Sequence, residues 1–222
     1  MYRVITALSM TVGRGAAARV AVELAGPGAN DTVVDVGCGP GAAARSARRA
    51  GAAVTGVDPD PLMLGLARVL GGNGIRWLRG SAESLPLPDG SATIVWALSS
   101  LHDWGDRKAG IAEAARVLGG GGRFLVLERL VAPGAHGHAA HGLTADQAAQ
   151  LAADLTTAGF GEVSETRRQL GRRTLVAVCA SRALRYSTTA STRRWSPSDG
   201  GSSSLCLEFP RREPLERRVP AS

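Results

Sequence analysis

Cysteine and long apolar runs are both scarce in this chain of 222 residues. The three cysteines, Cys38, Cys179 and Cys206, form no C-x-x-C pair and no zinc-binding spacing, which excludes a disulfide framework and a cysteine-based zinc site. The longest apolar run near the start, residues 4–12, is too short to cross a bilayer, which takes about 20 residues. We therefore predict a reduced cytoplasmic protein with no integral membrane segment.

Lysine is almost absent, since arginine supplies 25 of the 26 basic residues, against 19 acidic ones. With its many alanines and glycines, this composition is typical of a GC-rich genome, and the net charge of +7 does not by itself indicate nucleic-acid binding. Beyond residue 183, serine, threonine, arginine and proline dominate. We predict an N-terminal helical segment at 1–29, one domain at 30–182 and a disordered basic tail at 183–222.

Short apolar runs alternate with helix-like stretches across the predicted domain. The runs at 32–36, 52–57, 75–78, 92–98 and 123–128 are typical of strands buried on both faces of a parallel sheet. The stretches at 42–50, 61–70, 107–118 and 145–158 are predicted helices, and Thr144 and Gln147 fit a capping box for the last one. This alternation predicts an α/β, doubly wound fold.

Two further predicted strands, 162–170 and 174–180, close the domain. Only three residues separate them, whereas a parallel neighbour would need a crossover of roughly a dozen residues. They must therefore form a hairpin. The predicted sheet is seven-stranded and mostly parallel, with one antiparallel strand in the C-terminal hairpin.

A glycine-rich loop joins the first strand to the first helix of the domain. Gly37, Gly39 and Gly41 stand at alternate positions, where the backbone turns tightly and approaches a ligand closely. Asp58 ends the second strand, 21 residues after Gly37. That spacing suits a carboxylate that accepts both hydroxyls of a ribose, and Asp58 is equally placed to cap the helix that follows.

These features alone permit two kinds of cofactor. Gly37, Gly39 and Ala42 match the G-x-G-x-x-A pattern of dinucleotide binding, so a nicotinamide-dependent oxidoreductase is an alternative. However, Asp35 inside the first strand would repel a pyrophosphate and suits an amine, and Pro40 removes one backbone donor from the loop. We therefore predict a ligand that joins a zwitterionic amino acid to a nucleoside.

Several motifs occur in an order that is familiar from one family. They are DVGCGPG at 35–41, GVDPDPLML at 56–64, GSAESLPLPDGSATIVWALSSLHDW at 80–104, ARVLGGGGRFLVLE at 115–128 and AGFGEV at 158–163. On these motifs, residues 30–182 resemble the class I S-adenosylmethionine-dependent methyltransferases, particularly the methyltransferase type 11 group similar to ubiquinone/menaquinone-pathway enzymes. The resemblance implies a Rossmann-like fold, S-adenosyl-L-methionine as cofactor and in-line methyl transfer to a small-molecule acceptor. A non-catalytic module that binds the cofactor is the alternative.

The resemblance also implies which residues hold the cofactor. The glycine loop and Asp58 would hold its methionine and ribose portions, and the adenine amino group would meet Ser81 or Glu83 after the third strand. The expected cofactor-binding set is Asp35, Gly37, Cys38, Gly39, Gly41, Asp58, Pro59, Met63, Ser81, Ala82, Glu83, Ala97 and Leu98.

Histidines mark the expected acceptor side. The fourth strand delivers His102 to the carboxyl edge of the sheet, where it either orients or deprotonates the acceptor or anchors the turn. The stretch 130–143, where this family usually places its substrate cover, contains His136, His138 and His141. No carboxylate or cysteine accompanies these three in the sequence, so we predict no metal site and expect His141 to contact the acceptor.

Overall fold

The structure is a computed structural model, and it describes residues 14–183. The strands are β1 (Thr32–Val36), β2 (Ala53–Asp58), β3 (Ile75–Arg79), β4 (Ala92–Leu98), β5 (Leu118–Arg129), β6 (Phe160–Leu170) and β7 (Arg173–Arg182). The helices are α1 (Arg14–Ala25), α2 (Ala42–Arg49), α3 (Pro61–Gly71), α4 (Arg107–Val117) and α5 (Ala145–Thr157). None of these helices is long and apolar enough to span a membrane.

The seven strands form one sheet in the order β3-β2-β1-β4-β5-β7-β6. Strands β1 to β5 pair in parallel, while β7 runs antiparallel between β5 and β6. The prediction of an α/β, mostly parallel sheet with one antiparallel strand in a closing hairpin is therefore confirmed. Because the strand order reverses between β1 and β4, a crevice forms outside the carboxyl ends of these two strands.

Strand β5 differs most from its predicted bounds, since it begins at Leu118 and not at residue 123. The glycine run 119–122 has the composition of a turn, but Leu118 pairs with Ala92 across a register shift before regular pairing resumes at Arg123. A bulge of this kind accommodates residues that cannot all join the ladder. Glycine supplies the backbone freedom that the shift requires.

Helices cover both faces of the sheet. On one face, α1 and α2 pack small side chains such as Ala21 and Ala47 against the fully buried Trp96. On the other face, α4 and α5 bury larger residues, including Ile111 and Leu151. Helix α1 lies inside the predicted N-terminal segment, whereas residues 1–13 and the predicted tail from 184 onward lie outside the described residues.

The predicted capping box of α5 is confirmed. The Thr144 hydroxyl accepts the amide of Gln147 at 3.2 Å, and the Gln147 side chain accepts the amide of Thr144 at 2.9 Å. The amides of Thr144 and Gln147, which have no partner within the helix, are thereby satisfied, and this fixes where α5 begins.

Candidate functional site

A cavity of about 630 Å³ opens at the carboxyl ends of the parallel strands. This volume is within the range of small-molecule sites. Eight of the thirteen expected cofactor-binding residues line it: Gly37, Gly39, Asp58, Pro59, Met63, Ser81, Ala82 and Glu83. The expected acceptor residues His102 and His141 line it as well, so one cavity collects both halves of the predicted site.

The glycines of the loop adopt left-handed backbone conformations. Gly37 has a φ of +70° and Gly41 a φ of +79°. A Cβ on Gly37 would lie 2.4 Å from the Cβ of Ser100, and one on Gly41 would lie 2.4 Å from the ring of Trp77. Gly37 therefore lets β1 and the end of β4 approach each other at the cavity. Gly41 leaves the space that the ring of Trp77 occupies.

The backbone amides of the glycine loop donate hydrogen bonds within the protein. Pro40 has no amide hydrogen, and every other residue of 37–41 donates to an acceptor of the protein. The pairs are Gly37 N to Val57 O at 2.8 Å, Cys38 N to Val57 O at 3.1 Å, Gly39 N to Asp58 Oδ2 at 2.8 Å and Gly41 N to Cys38 O at 2.9 Å. The loop thus does not present the set of outward amides with which dinucleotide-binding loops hold a pyrophosphate.

Asp58 is built into this loop and is not the cap of α3. Its Oδ1 accepts the amide of Asp60 at 2.9 Å, and its side chain is almost fully buried, with 6% of the residue exposed. Asp60 caps the helix, since its own Oδ1 accepts the amide of Leu62 at 2.8 Å. Each oxygen of a carboxylate can accept two hydrogen bonds, so Asp58 can hold the loop and still accept hydroxyls from the cavity.

Five members of the expected set lie outside the cavity wall: Asp35, Cys38, Gly41, Ala97 and Leu98. The clearest case is Asp35, which is 1% exposed and accepts the amide of Ala44 at 3.0 Å. Helix α2 has Gly41 at its N-cap position, and glycine has no side chain with which to cap. Asp35 supplies the missing acceptor from β1, so its carboxylate fixes the start of α2 directly behind the glycine loop.

The end of the cavity beside β3 is formed by Ser81, Ala82 and Glu83. Glu83 Oε1 accepts the amides of Gly105 at 2.9 Å and Asp106 at 3.2 Å, which ties this segment to the loop after β4. Partial burial raises the pKa of Glu83, but hydrogen bonds from its own amide, the Ser81 hydroxyl and those two amides outweigh burial and lower the pKa below its ordinary value. Glu83 therefore faces this end of the cavity as a carboxylate at neutral pH.

His102, which also lines the cavity, meets an acid that sequence reasoning missed. Its Nδ1 lies 3.0 Å from Oε2 of Glu128, and Glu128 Oε1 accepts the amide of Leu101 at 2.8 Å. The ring of His141 packs edge-on against His102, with 5.2 Å between centroids. The one available sequence signal was the position of Glu128 as a single acid at the end of the apolar stretch FLVL.

Further residues of the cavity wall lie outside the quoted motifs. Ala17 of α1 and Leu170 and Leu175 of the closing hairpin add apolar surface, while Arg129 and Arg173 add positive charge. The Arg129 guanidinium also donates to the carbonyl of Ala139 at 2.6 Å, which ties the stretch 130–143 to the end of β5.

Among the described residues, His102, Asp103 and His141 each place one ligand atom within 4.8 Å of the others. Asp103 and His141 are exposed, and exposed acidic groups are common where no metal ion binds. We therefore assign no metal ion to this cluster.

The comparisons with known proteins agree with this architecture. Residues 34–126, which run from β1 into β5, match the family model described as a methyltransferase domain. The chain is 39% identical over 122 residues to the demethylmenaquinone methyltransferase of Tropheryma whipplei, which covers 52% of this chain and 51% of that relative. It is also 36% identical over 111 residues to the 27-O-demethylrifamycin SV methyltransferase of Amycolatopsis mediterranei, covering 47% and 41% of the two chains.

The chain thus spans about half the length or less of these curated relatives. Among solved structures, the [4+2]-cyclase SpnF superposes with a TM-score of 0.63 at 21% identity, over 77% of this chain and 82% of that one. This likeness shows the fold alone, and a protein described as a cyclase shows that the fold does not dictate the reaction.

Proposed function

We propose that this protein transfers a methyl group from S-adenosyl-L-methionine to a small-molecule acceptor. The observation that carries the proposal is the glycine loop, whose amides are all donated within the protein while its neighbour Asp58 stands at the cavity wall. A loop of this kind suits a nucleoside that carries no phosphate better than it suits a dinucleotide. The small-molecule assignment rests on a cavity of limited volume at the edge of the sheet.

The donor and acceptor groups of the wall fit such a cofactor. Asp58 can accept the two ribose hydroxyls, and the Glu83 carboxylate beside Ser81 can accept from the amino group of adenine. The backbone at Gly37 and Gly39 leaves the space along which the amino-acid portion would lie. When bound, the cofactor supplies a methyl group already activated on a sulfonium.

The protein's own task is then mainly positioning. The apolar rim of Ala17, Leu170 and Leu175 can hold the body of an acceptor and exclude water from the reacting atoms. Holding two reactants in line can supply as much as ~7–11 kcal/mol of the barrier reduction. His102 and His141 lie where the acceptor would enter, so we assign them to orienting it.

The names of the two relatives specify different acceptors, demethylmenaquinone and 27-O-demethylrifamycin SV. They support methyl transfer to a small molecule in general and not a particular acceptor for this chain. The scattered cysteines, none in a C-x-x-C pair, support a cytoplasmic location for the activity.

Calorimetry and a transfer assay test the proposal. Titration with S-adenosylhomocysteine should show binding, and titration with NADH should show none. Methyl-labelled S-adenosylmethionine should then yield labelled product with members of a small-molecule acceptor panel. Binding of NADH alone would overturn the choice of cofactor, and cofactor binding without transfer to any acceptor would favour a non-catalytic module.

A further inference from the structure

A buried carboxylate contacts His102, one of the residues that line the cavity. Glu128, at the end of β5, is 1% exposed, yet each of its two oxygens has a partner. Oε1 accepts the amide of Leu101, and Oε2 lies 3.0 Å from Nδ1 of His102. Burying a carboxyl group is costly unless such partners compensate, and here the partners are the imidazole of His102 and the backbone amide of Leu101.

This contact determines which nitrogen of His102 can accept a proton. An ionised carboxylate only accepts hydrogen bonds, so the Nδ1 nitrogen carries the hydrogen in the neutral ring. The lone pair of the ring is then on Nε2, and His102 lines the cavity. Glu128 also stabilises the imidazolium that forms when Nε2 takes up a proton, as a buried acid does behind a catalytic histidine.

Asp103 and His141 also lie close to the ring of His102. Oδ2 of Asp103 lies 3.6 Å from Nε2 of His102, which is longer than a hydrogen bond, and the Asp103 side chain is 71% exposed. The remaining titratable or charged side chains that face the same cavity are His141, Arg129, Arg173, Glu83 and Asp58.

We propose that His102 and Glu128 form a general-base pair, and that the acceptor is a compound that presents a phenol or enol hydroxyl. The inference rests on the proposed function. As the acceptor oxygen forms its bond to the methyl carbon, the carbon–sulfur bond breaks and its electron pair stays on sulfur. The hydroxyl proton passes to His102 Nε2, so the positive charge of the sulfonium reappears on an imidazolium beside Glu128.

This chemistry separates the acceptor classes. A hydroxyl is a weak nucleophile until it loses its proton, so a base behind it contributes directly, typically 10²–10⁴-fold in rate. A neutral aromatic amine can attack the methyl group first and lose its proton afterwards. A general base therefore adds little to the rate with amine acceptors, whereas with hydroxyl acceptors His102 and Glu128 supply the base that removes the proton.

The tautomer of His102 can be measured without any acceptor. The chain has four histidines, so ¹⁵N-histidine labelling gives a short set of imidazole signals, and His102→Gln identifies the relevant one. With S-adenosylhomocysteine present, the wild-type ring should carry its hydrogen on Nδ1, and Glu128→Gln should change that signal. A hydrogen on Nε2, or a signal that Glu128→Gln leaves unaltered, overturns the pair.

Kinetics with paired acceptors test whether His102 and Glu128 act as a general base. A panel of phenols, catechols and naphthols is assayed, each beside a nitro-substituted analogue that is already ionised at the assay pH. His102→Gln and Glu128→Gln should lower kcat for the un-ionised members by at least about 100-fold and for the ionised analogues by far less. Equal losses for both, transfer only to amines or thiols, or loss of all activity on chelation of divalent metal would each overturn the proposal.

Two control variants separate structural damage from loss of the base. Glu113→Gln removes another partly buried acid that accepts a backbone amide, and His136→Gln removes an exposed histidine outside the cavity wall. Both should keep kcat within about twofold. Affinity for S-adenosylhomocysteine reports separately on the proposed function. If wild type does not bind this ligand, the proposed function is wrong. If wild type binds it but Glu128→Gln leaves the His102 signal unaltered, only the general-base pair is wrong.

Discussion

The amide of Gly39 donates to Oδ2 of Asp58 at 2.8 Å, so the glycine loop and the acid at the end of β2 form one hydrogen-bonded unit. The other carboxylate oxygen accepts the amide of Asp60, which links the unit to the start of α3. Asp58 therefore shapes the proposed cofactor site and also faces it. A substitution at this position must be judged against a neighbour that supports the same helix without facing the cavity.

Asp58→Asn should reduce affinity for S-adenosylhomocysteine by at least about tenfold, as measured by calorimetry. The amide retains the shape of the side chain but loses the charge, and hydrogen bonds to a charged group contribute about 1.5–3 kcal/mol, where ~1.4 kcal/mol is one decade. Asp60→Ala is the matched control, because it removes the cap of α3 at a cost of about 1 kcal/mol of unfolding free energy and should leave affinity within twofold. A folded Asp58→Asn protein with wild-type affinity would show that this acid only shapes the loop.

Gly37→Ala should both destabilise the protein and abolish cofactor binding. Its Cβ would lie 2.4 Å from the Cβ of Ser100, and the φ of +70° disfavours any L side chain, so we expect a loss of at least about 1–3 kcal/mol in denaturant unfolding. Ser100 cannot move away cheaply, since its hydroxyl donates to the carbonyl of Val36 at 2.7 Å.

Gly65→Ala is the control for that experiment. Gly65 lies within α3, where an added Cβ meets nothing within 4 Å, so alanine should raise the unfolding free energy by up to about 1 kcal/mol. Equal stabilities for the two variants would contradict the close approach of the loop to the end of β4.

The parts of this molecule that sequence could predict are those set by local pattern. The bounds of β1 and β4 were predicted to the residue, because each is a short run rich in apolar and β-branched residues between polar or glycine residues. The Glu128–His102 contact depends instead on how β4 and β5 pair, with Leu98 beside Leu127, and 26 residues separate the two side chains. The cavity residues from α1 and the hairpin likewise come together only through tertiary packing.

The pair of Glu113 and Arg116 should make stability depend on acid pH. The hydrogen bond from Arg116 is the largest influence and lowers the pKa of Glu113 below its ordinary value of 4.5, helped by the amide of Leu85 and opposed by partial burial. A lowered folded-state pKa means that the stabilisation is present above the unfolded value and is lost as pH falls through the folded one. The gap in melting temperature between wild type and Glu113→Gln should be full at neutral pH and shrink below roughly pH 4.5.

Glu165→Gln serves as the comparison for this acid dependence. Glu165 pairs with Arg167 on the exposed edge strand β6, and exposed ion pairs contribute about 0–1 kcal/mol. Its melting temperature should follow that of wild type at every pH. A gap for Glu113→Gln that stays constant down to acid pH would mean that the variant acts through packing and not through charge.

Glu83→Gln should change which base of the cofactor the site prefers. The wild-type carboxylate accepts from the amino group of adenine, but it would face the carbonyl oxygen of hypoxanthine, so S-adenosylhomocysteine should bind much more tightly than S-inosylhomocysteine. Glutamine can donate to that oxygen, and its own oxygen can still accept the amide of Gly105, so we expect the preference to fall by about tenfold, or ~1.4 kcal/mol, with little loss of stability. Calorimetry with both ligands measures the ratio. If Ser81→Ala narrows the preference and Glu83→Gln does not, the serine hydroxyl is the contact to adenine, and Glu83 serves only to hold the loop after β4.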